Sequence, residues 1–291
     1  MVHALTIDVE DYYSVFARDR LDHDGPPTDA VVRNTDRVLR LLRDHDCRAT
    51  FFVLGEVAET FPDLVRAIAA EGHEVGVHGY AHRQVFRMEP ETFRADVRRA
   101  REAVEQAAGE PARGYRAPAF SIGRATAWAL EVLADLGFRY DSSVFPISGR
   151  RYGWPDAAPV IHPVPVGEGR SLVEVPLTTV RVLGRRLPCC GGGYLRHFPY
   201  AVTRWAMRRV ARRRPAVVYF HPYDLDTAPP PADFAERLAA AGADVQRFHR
   251  RQIRRRETVE GKLRRLLEAF AFAPAARVID DVLGPAAGGG T

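Results

Sequence analysis

Along the first two-thirds of the chain, apolar residues alternate between two spacings. Ala4–Val9 reads as a buried strand, and Ala49–Leu54 (ATFFVL) is a short continuous apolar run, the pattern of a strand covered on both faces. Between them, Asp29–Asp44 carries Val31, Val38, Leu41 and Leu42 at helical spacing. Val57–Glu71 is again helical, with Gly72 as its C-terminal stop. Glu74–Val77 then predicts a strand, Glu91–Ala108 a helix ending at Gly109, Arg113–Arg116 a short strand and Arg124–Leu136 a helix stopped by Gly137. Strand and helix in this rhythm imply a parallel sheet, either barrel or doubly wound, whose chemistry gathers where strands end.

From about Ser148 to Gly193 the pattern loosens into a Pro- and Gly-rich stretch holding one clear strand, Ser171–Val175, and the loop Cys190–Tyr194. A helix at Tyr200–Arg212 and a strongly apolar strand at Ala216–Phe220 restore the rhythm. Thr258–Phe270 reads as a last amphipathic helix, and Gly284–Thr291 as a frayed tail. No internal repeat and no sharp boundary divides the chain. Residues 1–283 therefore read as one catalytic domain, with 223–283 as a C-terminal extension packed on it.

Composition narrows the class. The 291 residues, 46% hydrophobic and 27% charged, suit an ordinary globular protein. No apolar run is long enough for a membrane-spanning helix. The N-terminus enters directly into Val2–Val9 without the features of a signal peptide, which predicts a cytoplasmic location. Cys47, Cys189 and Cys190 offer neither a disulfide framework nor a Cys-x-x-Cys spacing and read as buried, inert thiols. The net charge of +5 is almost all arginine, Lys262 being the only lysine. Two clusters, Arg208–Arg214 and Arg247–Arg256, could meet an anionic glycan, a membrane surface or nucleic acid, although solvated helix faces are the simpler reading. Neither carries the interleaved aromatics of a nucleic-acid reader, so no nucleic-acid partner is expected.

The strongest chemical signal is HGYAH, which sets His78 and His82 four apart just after a strand, where both imidazoles could meet one metal if the segment turns helically. His73 lies on the same strand at opposite parity to His78 and should point away. TIDVED (Thr6–Asp11) crowds three carboxylates at the end of the first strand: alternation aligns Asp8 with Glu10, while Asp11 lies just past the end. Like charges so placed need a cation or hydrogen bonds. One carboxylate and two histidines, with a position left for water, make a catalytic metal site, and a second carboxylate is then free to act as base. Three further segments end strands: RGYRAPAFS with Arg116 and Pro118, Asp141–Ser142–Ser143, and His221–Pro222. Singly, these read as a surface arginine, a helix cap and a capping histidine; their shared position at strand ends is what carries weight.

In this order the motifs resemble the NodB-homology polysaccharide deacetylases of carbohydrate esterase family 4, from Ala4 to about Pro222. TIDVED stands for the acidic motif and HGYAH for the histidine motif, followed by RAPAF, DSS and YFHP. The DVED form, GYRAP, YDSS and the GGGYLR loop are most similar to the branch associated with exopolysaccharide synthesis and protein sorting, with allantoinase-like and peptidoglycan deacetylase-like relatives. The resemblance implies a deformed (β/α) barrel of about seven parallel strands and a metal-dependent N-deacetylase acting on an N-acetylated polysaccharide or oligosaccharide. Carried over, it makes Asp8 the base, His78 and His82 metal ligands, Glu10 or Asp11 the carboxylate ligand, His221 the general acid, Asp141 the partner that orients it, and Arg116 the residue positioning base and groove. Arg33 is a further contributor. Ala119 stands where the family commonly has an aromatic residue and keeps a backbone N–H able to face an oxyanion. Zinc fits two imidazoles and one carboxylate, as would cobalt, nickel or iron. GGGYLR (Gly191–Arg196) follows no phosphate-cradling strand; it reads either as a plain flexible loop or as backbone approaching a sugar, with Tyr194 as a stacking platform and Arg196 and Trp154 as groove residues. The rival readings are a small-molecule amidohydrolase, such as a cyclic-ureide hydrolase, and a glycan-binding protein without activity.

Overall fold

The computed structural model describes residues 1–149, 153–167 and 169–285. Strand β1 (Val2–Val9) leads into α1 (Tyr12–Arg20) and α2 (Ala30–Arg43), β2 (Thr50–Val53) into α3 (Gly55–Thr60) and α4 (Pro62–Ala70), β3 (Glu74–Val77) into α5 (Pro90–Ala108), and β4 (Gly114–Tyr115) into α6 (Trp128–Asp135). After β5 (Tyr140–Asp141) come two antiparallel hairpins, β6 (His162–Pro165) with β7 (Ser171–Glu174) and β8 (Thr179–Val182) with β9 (Arg185–Pro188). Helices α7 (Gly192–His197) and α8 (Tyr200–Ala211) then precede β10 (Val217–Phe220). The remainder is α9 (Ala232–Ala240), α10 (Ala243–Ile253), α11 (Val259–Ala269), the short β11 (Ala271–Ala273) and α12 (Ala275–Leu283).

The main sheet runs β10-β1-β2-β3-β4-β5-β7-β6, with β11 beside the start of β1. Its first seven strands pair in parallel, and β6 alone is antiparallel, at the edge. The seven parallel strands agree with the expected architecture. Among the described strands, no pairing joins the two edges of the path.

Alternation along β1 divides two cores. Leu5, Ile7 and Val9 pack outward with the apolar faces of α2, α4, α5 and α6. Ala4 points inward, to a second cluster with Phe52, Tyr140, Phe145, Val217 and Tyr219. β1 is buried on both faces, and the polar residues within it, His3, Thr6 and Asp8, are buried with the rest. The inner cluster is closed from the start of the strands by α12, whose Ala275, Val278 and Ile279 join it. The first free N–H groups of α12 find partners there: Ala275 donates to Thr50 Oγ1 (2.7 Å) and Ala276 to Glu74 Oε2 (3.1 Å). The residues beyond Pro222 are thus woven into the same sheet and interior, and the opposite end of the strands is left for the site.

Two glycines make room for inward-facing rings. A Cβ on Gly114 would lie 2.2 Å from the Tyr140 ring, and one on Gly76 2.7 Å from Phe52. Tyr140 threads past Gly114 to donate its hydroxyl to Glu74 Oε1 (2.8 Å).

Several boundaries differ from the sequence reading for local reasons. Val57–Glu71 is two helices, because Pro62 cannot donate a hydrogen bond into a continuing turn and instead starts α4. Arg124–Leu136 opens as a 3-10 turn at Arg124–Thr126 before α6 begins. The loose stretch holds the hairpins β6–β7 and β8–β9, of which only β7 was expected, and the Gly-rich loop becomes α7 from Gly192. Of the expected tail, 286–291 lies outside the described residues.

His73 points away from His78, as its parity implies, into a buried position where its Nδ1 accepts the Ala49 N–H (3.2 Å). His3 likewise accepts the Ala216 N–H (3.0 Å). Burial pushes both imidazoles down, to about 4. Their folded-state values lie below the unfolded value of about 6.5, so the unfolded chain binds more protons between the two. The neutral-histidine contribution is complete above pH 6.5 and fades as pH falls toward 4. Chemical denaturation at pH 7 and pH 5 should show lower stability at pH 5, and the loss should shrink in His3→Gln. Gly114→Ala should lower stability by about 1–3 kcal/mol through overpacking against Tyr140, measured by the same method.

Candidate active site

At the far end of the strands, Arg116 follows β4 and is wholly buried. A guanidinium there is tolerable only if its donors are met. Its Nε donates to Ser142 O (3.0 Å), Nη2 to Ser142 Oγ (2.8 Å), and Nη1 to Thr6 Oγ1 (2.8 Å) and Asp8 Oδ1 (2.7 Å). Its carbon centre lies 4.4 Å from the centroid of the Phe52 ring. Arg116 therefore holds Asp8 by one carboxylate oxygen.

One layer above, Glu10, His78 and His82 offer one ligand atom each within 4.8 Å of one another. Glu10 Oε2 lies 2.7 Å from His82 Nε2. His78 Nδ1 is 2.8 Å from the Arg116 carbonyl oxygen, which makes Nδ1 the N–H donor and leaves Nε2 as the free lone pair. The two imidazoles converge without a helical turn. Gly79 and His82 both take left-handed backbone angles, with φ of 75° and 56°, and the rings sit 5.8 Å apart. A left-handed histidine is strained, and such strain collects at functional sites. Ala119 and Phe120, in the turn after Arg116, are left-handed too.

Asp11, the alternative carboxylate, is turned away. It caps α1, accepting the Ser14 N–H (2.9 Å), and also accepts the Thr28 N–H (3.0 Å) and hydroxyl (3.0 Å). Past the end of β1 its side chain no longer follows strand alternation, and the first N–H groups of a helix compete for it.

His221 follows β10 with Nε2 3.3 Å from Glu10 Oε1 and 4.0 Å from Asp8 Oδ2. Its Nδ1 lies 3.0 Å from Asp224 Oδ2, not against Asp141. Asp141 instead accepts the backbone N–H (3.0 Å) and hydroxyl (2.5 Å) of Ser143, whose Oγ accepts the Ala117 N–H (2.7 Å). It thereby braces the RAP turn. Burial raises Asp141, and burial with the Asp141 charge raises neighbouring Glu174 well above the usual range, so one of the pair is held protonated. Asp224 behaves oppositely. Burial works against its charge, but the Arg196 guanidinium and His221 bring it down to about 2. Burial also disfavours the His221 imidazolium, yet Asp224, Glu10 and Asp8 raise it above its ordinary value.

Arg196, expected in a groove, is buried behind this pair, with Nε 3.4 Å from Asp224 Oδ1 and Nη1 bonded to the Gln252 carbonyl. The glycines before it let backbone approach the Tyr219 ring and not a sugar: a Cβ on Gly191 would lie 2.1 Å from that ring. Tyr194 packs half-buried against the inner cluster, and Trp154 packs half-buried against the outer one. Arg33 reaches Asp226 at 3.8 Å. Two residues escaped the sequence reading. Asp224 was legible as the fourth residue of HPYD, three beyond the histidine. Tyr223 stacks on His221 (4.5 Å between centroids, 10° between planes) and donates its hydroxyl to Glu10 Oε1 (3.1 Å), which no local spacing announces.

Residues 23–140, with His78, His82 and Arg116, match the polysaccharide deacetylase family. Over those residues the chain is similar to polysaccharide deacetylases. The rest of the site lies outside that match. Asp8 and Glu10 precede it, while Arg196, His221 and Asp224 fall in residues 142–280, which match a domain of unknown function, DUF3473. The chain is 36% identical over 95 residues to a peptidoglycan-N-acetylglucosamine deacetylase of Bacillus cereus, covering 33% of each chain. It is 35% identical over 100 residues to a chitooligosaccharide deacetylase of Rhizobium leguminosarum bv. trifolii, covering 34% of this chain and 44% of the relative. The chain spans between a third and a half of the length of the first curated relatives it matches. In fold it is similar to a candidate polysaccharide deacetylase from Mycobacterium smegmatis (TM-score 0.62, 21% identity, 96% of this chain and 89% of that one). It is also similar in fold to Puue allantoinase (TM-score 0.59, 14% identity, 97% and 91%).

Metal titration by calorimetry separates the two carboxylates. Glu10→Gln and His82→Ala should each lose affinity for zinc by at least tenfold, whereas Asp11→Asn should retain it and lose about 1 kcal/mol of stability with the helix cap.

Proposed function

We propose that the protein is a metal-dependent N-deacetylase that hydrolyses acetamide groups of an N-acetylated glycan to amine and acetate. The observation that carries this reading is the buried convergence of Glu10, His78 and His82, with Asp8 and His221 beside them. The donor set fits a cation. His82 Nδ1 is buried without a hydrogen-bond partner among the described residues, Glu10 Oε2 meets the His82 imidazole at 2.7 Å, and a carboxylate between imidazoles is the ligand chemistry of zinc, with cobalt, nickel or iron also suited. Once bound, such an ion polarises the acetyl carbonyl and acidifies water.

The remaining steps belong to the chain. Asp8, tied to Arg116 through Oδ1, has Oδ2 toward His221 and takes the proton of water as its oxygen bonds to the carbonyl carbon. Arg116 keeps Asp8 in place and compensates its charge. A backbone N–H at the left-handed Ala119 turn faces the oxyanion that develops. The carbon–nitrogen bond then breaks, its electron pair goes to nitrogen, and His221 Nε2–H supplies the proton that makes the amine a leaving group. Asp224, held by Arg196, sits on Nδ1 and keeps the donor nitrogen toward the site. A glycan substrate is supported by relatives named for peptidoglycan and chitooligosaccharide deacetylation. An exopolysaccharide is the polymer that the DVED, GYRAP and GGGYLR motifs favour.

Acetate release from N-acetylglucosamine oligomers and from de-esterified exopolysaccharide, with zinc or cobalt added, tests the reading; zinc-loaded protein inactive on every N-acetylated glycan would overturn it. Asp8→Asn should keep the metal and lose kcat on the order of 100-fold or more. Loss of metal in that variant would exchange the roles of Asp8 and Glu10. Asp224→Asn should lower kcat by about tenfold or more while KM and metal content hold, and Asp141→Asn should act mainly on stability.

A further inference from the structure

The Arg208–Arg214 cluster takes no part in the site, and its surroundings are unusual. From Val175 to Tyr223 the chain contains ten arginines and no aspartate or glutamate. Helix α8 buries Thr203, Ala206, Met207 and Val210, and presents Arg204, Arg208 and Arg209 to solvent. The hairpin β8–β9 lies against it and exposes Arg181 and Arg185. Together they wall a groove of about 570 Å³ lined by Arg181, Arg186, Arg209, Arg212, Arg213 and Arg214. Among the described residues, Arg181, Arg185, Arg204, Arg208, Arg209, Arg212 and Arg213 form no ion pair with a carboxylate, unlike Arg18 of α1, Arg94 and Arg101 of α5 and Arg264 of α11. So many unneutralised cations on one face repel one another and call for an anionic surface.

Apolar side chains stand among them. Leu183 at the tip of the hairpin is 98% exposed, and Trp205 on α8 is 47% exposed, with Val202 and Leu187 also open to solvent. Leaving a leucine wholly in water has no folding benefit, and aliphatic tips neither stack on bases nor hydrogen-bond to sugars. A leucine and a tryptophan rimmed by arginines have the chemistry of the bilayer interface: the indole rests at headgroup level, the leucine reaches the acyl boundary, and the guanidinium groups meet phosphates. No described helix is long and apolar enough to cross a membrane, so any contact of this kind is peripheral.

We propose that the α8 face and the β8–β9 hairpin form a docking surface for an anionic phospholipid bilayer. Arg212–Arg214 stand just before β10 starts and His221 just after it ends, so the densest charge lies at the opposite end of the strand from the site. Docking there leaves the site open to a glycan on the solvent side.

Co-sedimentation of the intact protein with vesicles tests this. Binding is expected to vesicles containing phosphatidylglycerol and not to pure phosphatidylcholine, and to weaken as salt is raised. Arg208→Ser/Arg209→Ser should weaken it on the order of tenfold. Leu183→Ser, at a fully exposed position that cannot disturb folding, should also weaken it, and Trp205 fluorescence should shift to the blue on binding. Turnover of a soluble oligosaccharide should be unchanged in both variants. Equal affinity for neutral and anionic vesicles, or no binding at low salt, overturns the proposal. Binding to heparin or DNA that exceeds vesicle binding and ignores Leu183→Ser also overturns it, and would make the face a polyanion site.

Discussion

Everything at the site rests on a charge that should not be where it is. Transferring a guanidinium from water to a protein interior costs several kcal/mol even after relaxation, and an ion pair recovers this only with good geometry and all donors met. Arg116 comes close to that condition: each of its three guanidinium nitrogens donates at least once, to Thr6 and Asp8 of β1 and to Ser142 after β5, and the Phe52 ring of β2 lies beneath. Its carbonyl fixes the tautomer of His78, beyond β3. One residue thus sets the position of the carboxylate proposed as base, the lone pair offered by one imidazole, and the spacing of neighbouring strands. The glycines of β3 and β4 belong to the same arrangement, because the Phe52 ring beneath the guanidinium and the Tyr140 ring beside it fit only where Gly76 and Gly114 carry no Cβ.

A second set of charges does for His221 what Arg116 does for Asp8. Arg196 and Asp224 form a buried pair, and the carbonyl of Gln252 on α10 takes another guanidinium donor. Tyr223, stacked on His221, is backed by the buried Arg256, whose carbon centre is 5.2 Å from its ring centroid. The segment after Pro222 is therefore not decoration around a finished site. It supplies Asp224, the Gln252 carbonyl that holds Arg196, and the Arg256 that backs Tyr223.

β2 and β10 were legible because each is buried on both faces and so is written as an apolar run, with glycine or proline at its border. Ser171–Val175 was visible as well, but β6, β8 and β9 were not: they are short, rich in proline and arginine, and paired only as local hairpins. His78, Arg116 and His221 could be read because each directly follows a strand, where direction and parity are fixed, and His82 because it stands four beyond His78. Asp11 and Asp141 misled for one reason. Both lie at or past a strand's end, and their carboxylates serve nearby backbone N–H and hydroxyl groups. Arg196 misled for another. A Gly-rich stretch looks like an open loop, yet here the glycines exist so that the chain can cross the Tyr219 ring.

The pairing of β1 has a kinetic side. Its neighbours are β2, about forty residues on, and β10 and β11, more than two hundred residues away. Contacts of such sequence separation form late, since loop closure must come before they return any stability. During synthesis, Asp8 and Glu10 emerge first, yet the strand that carries them lacks one partner until Phe220 has been made and another until Ala273. Through that interval the edge of β1 is open, with its backbone groups and apolar face available to any other chain. The protein should depend on chaperone cover in this window more than on the strength of its finished core.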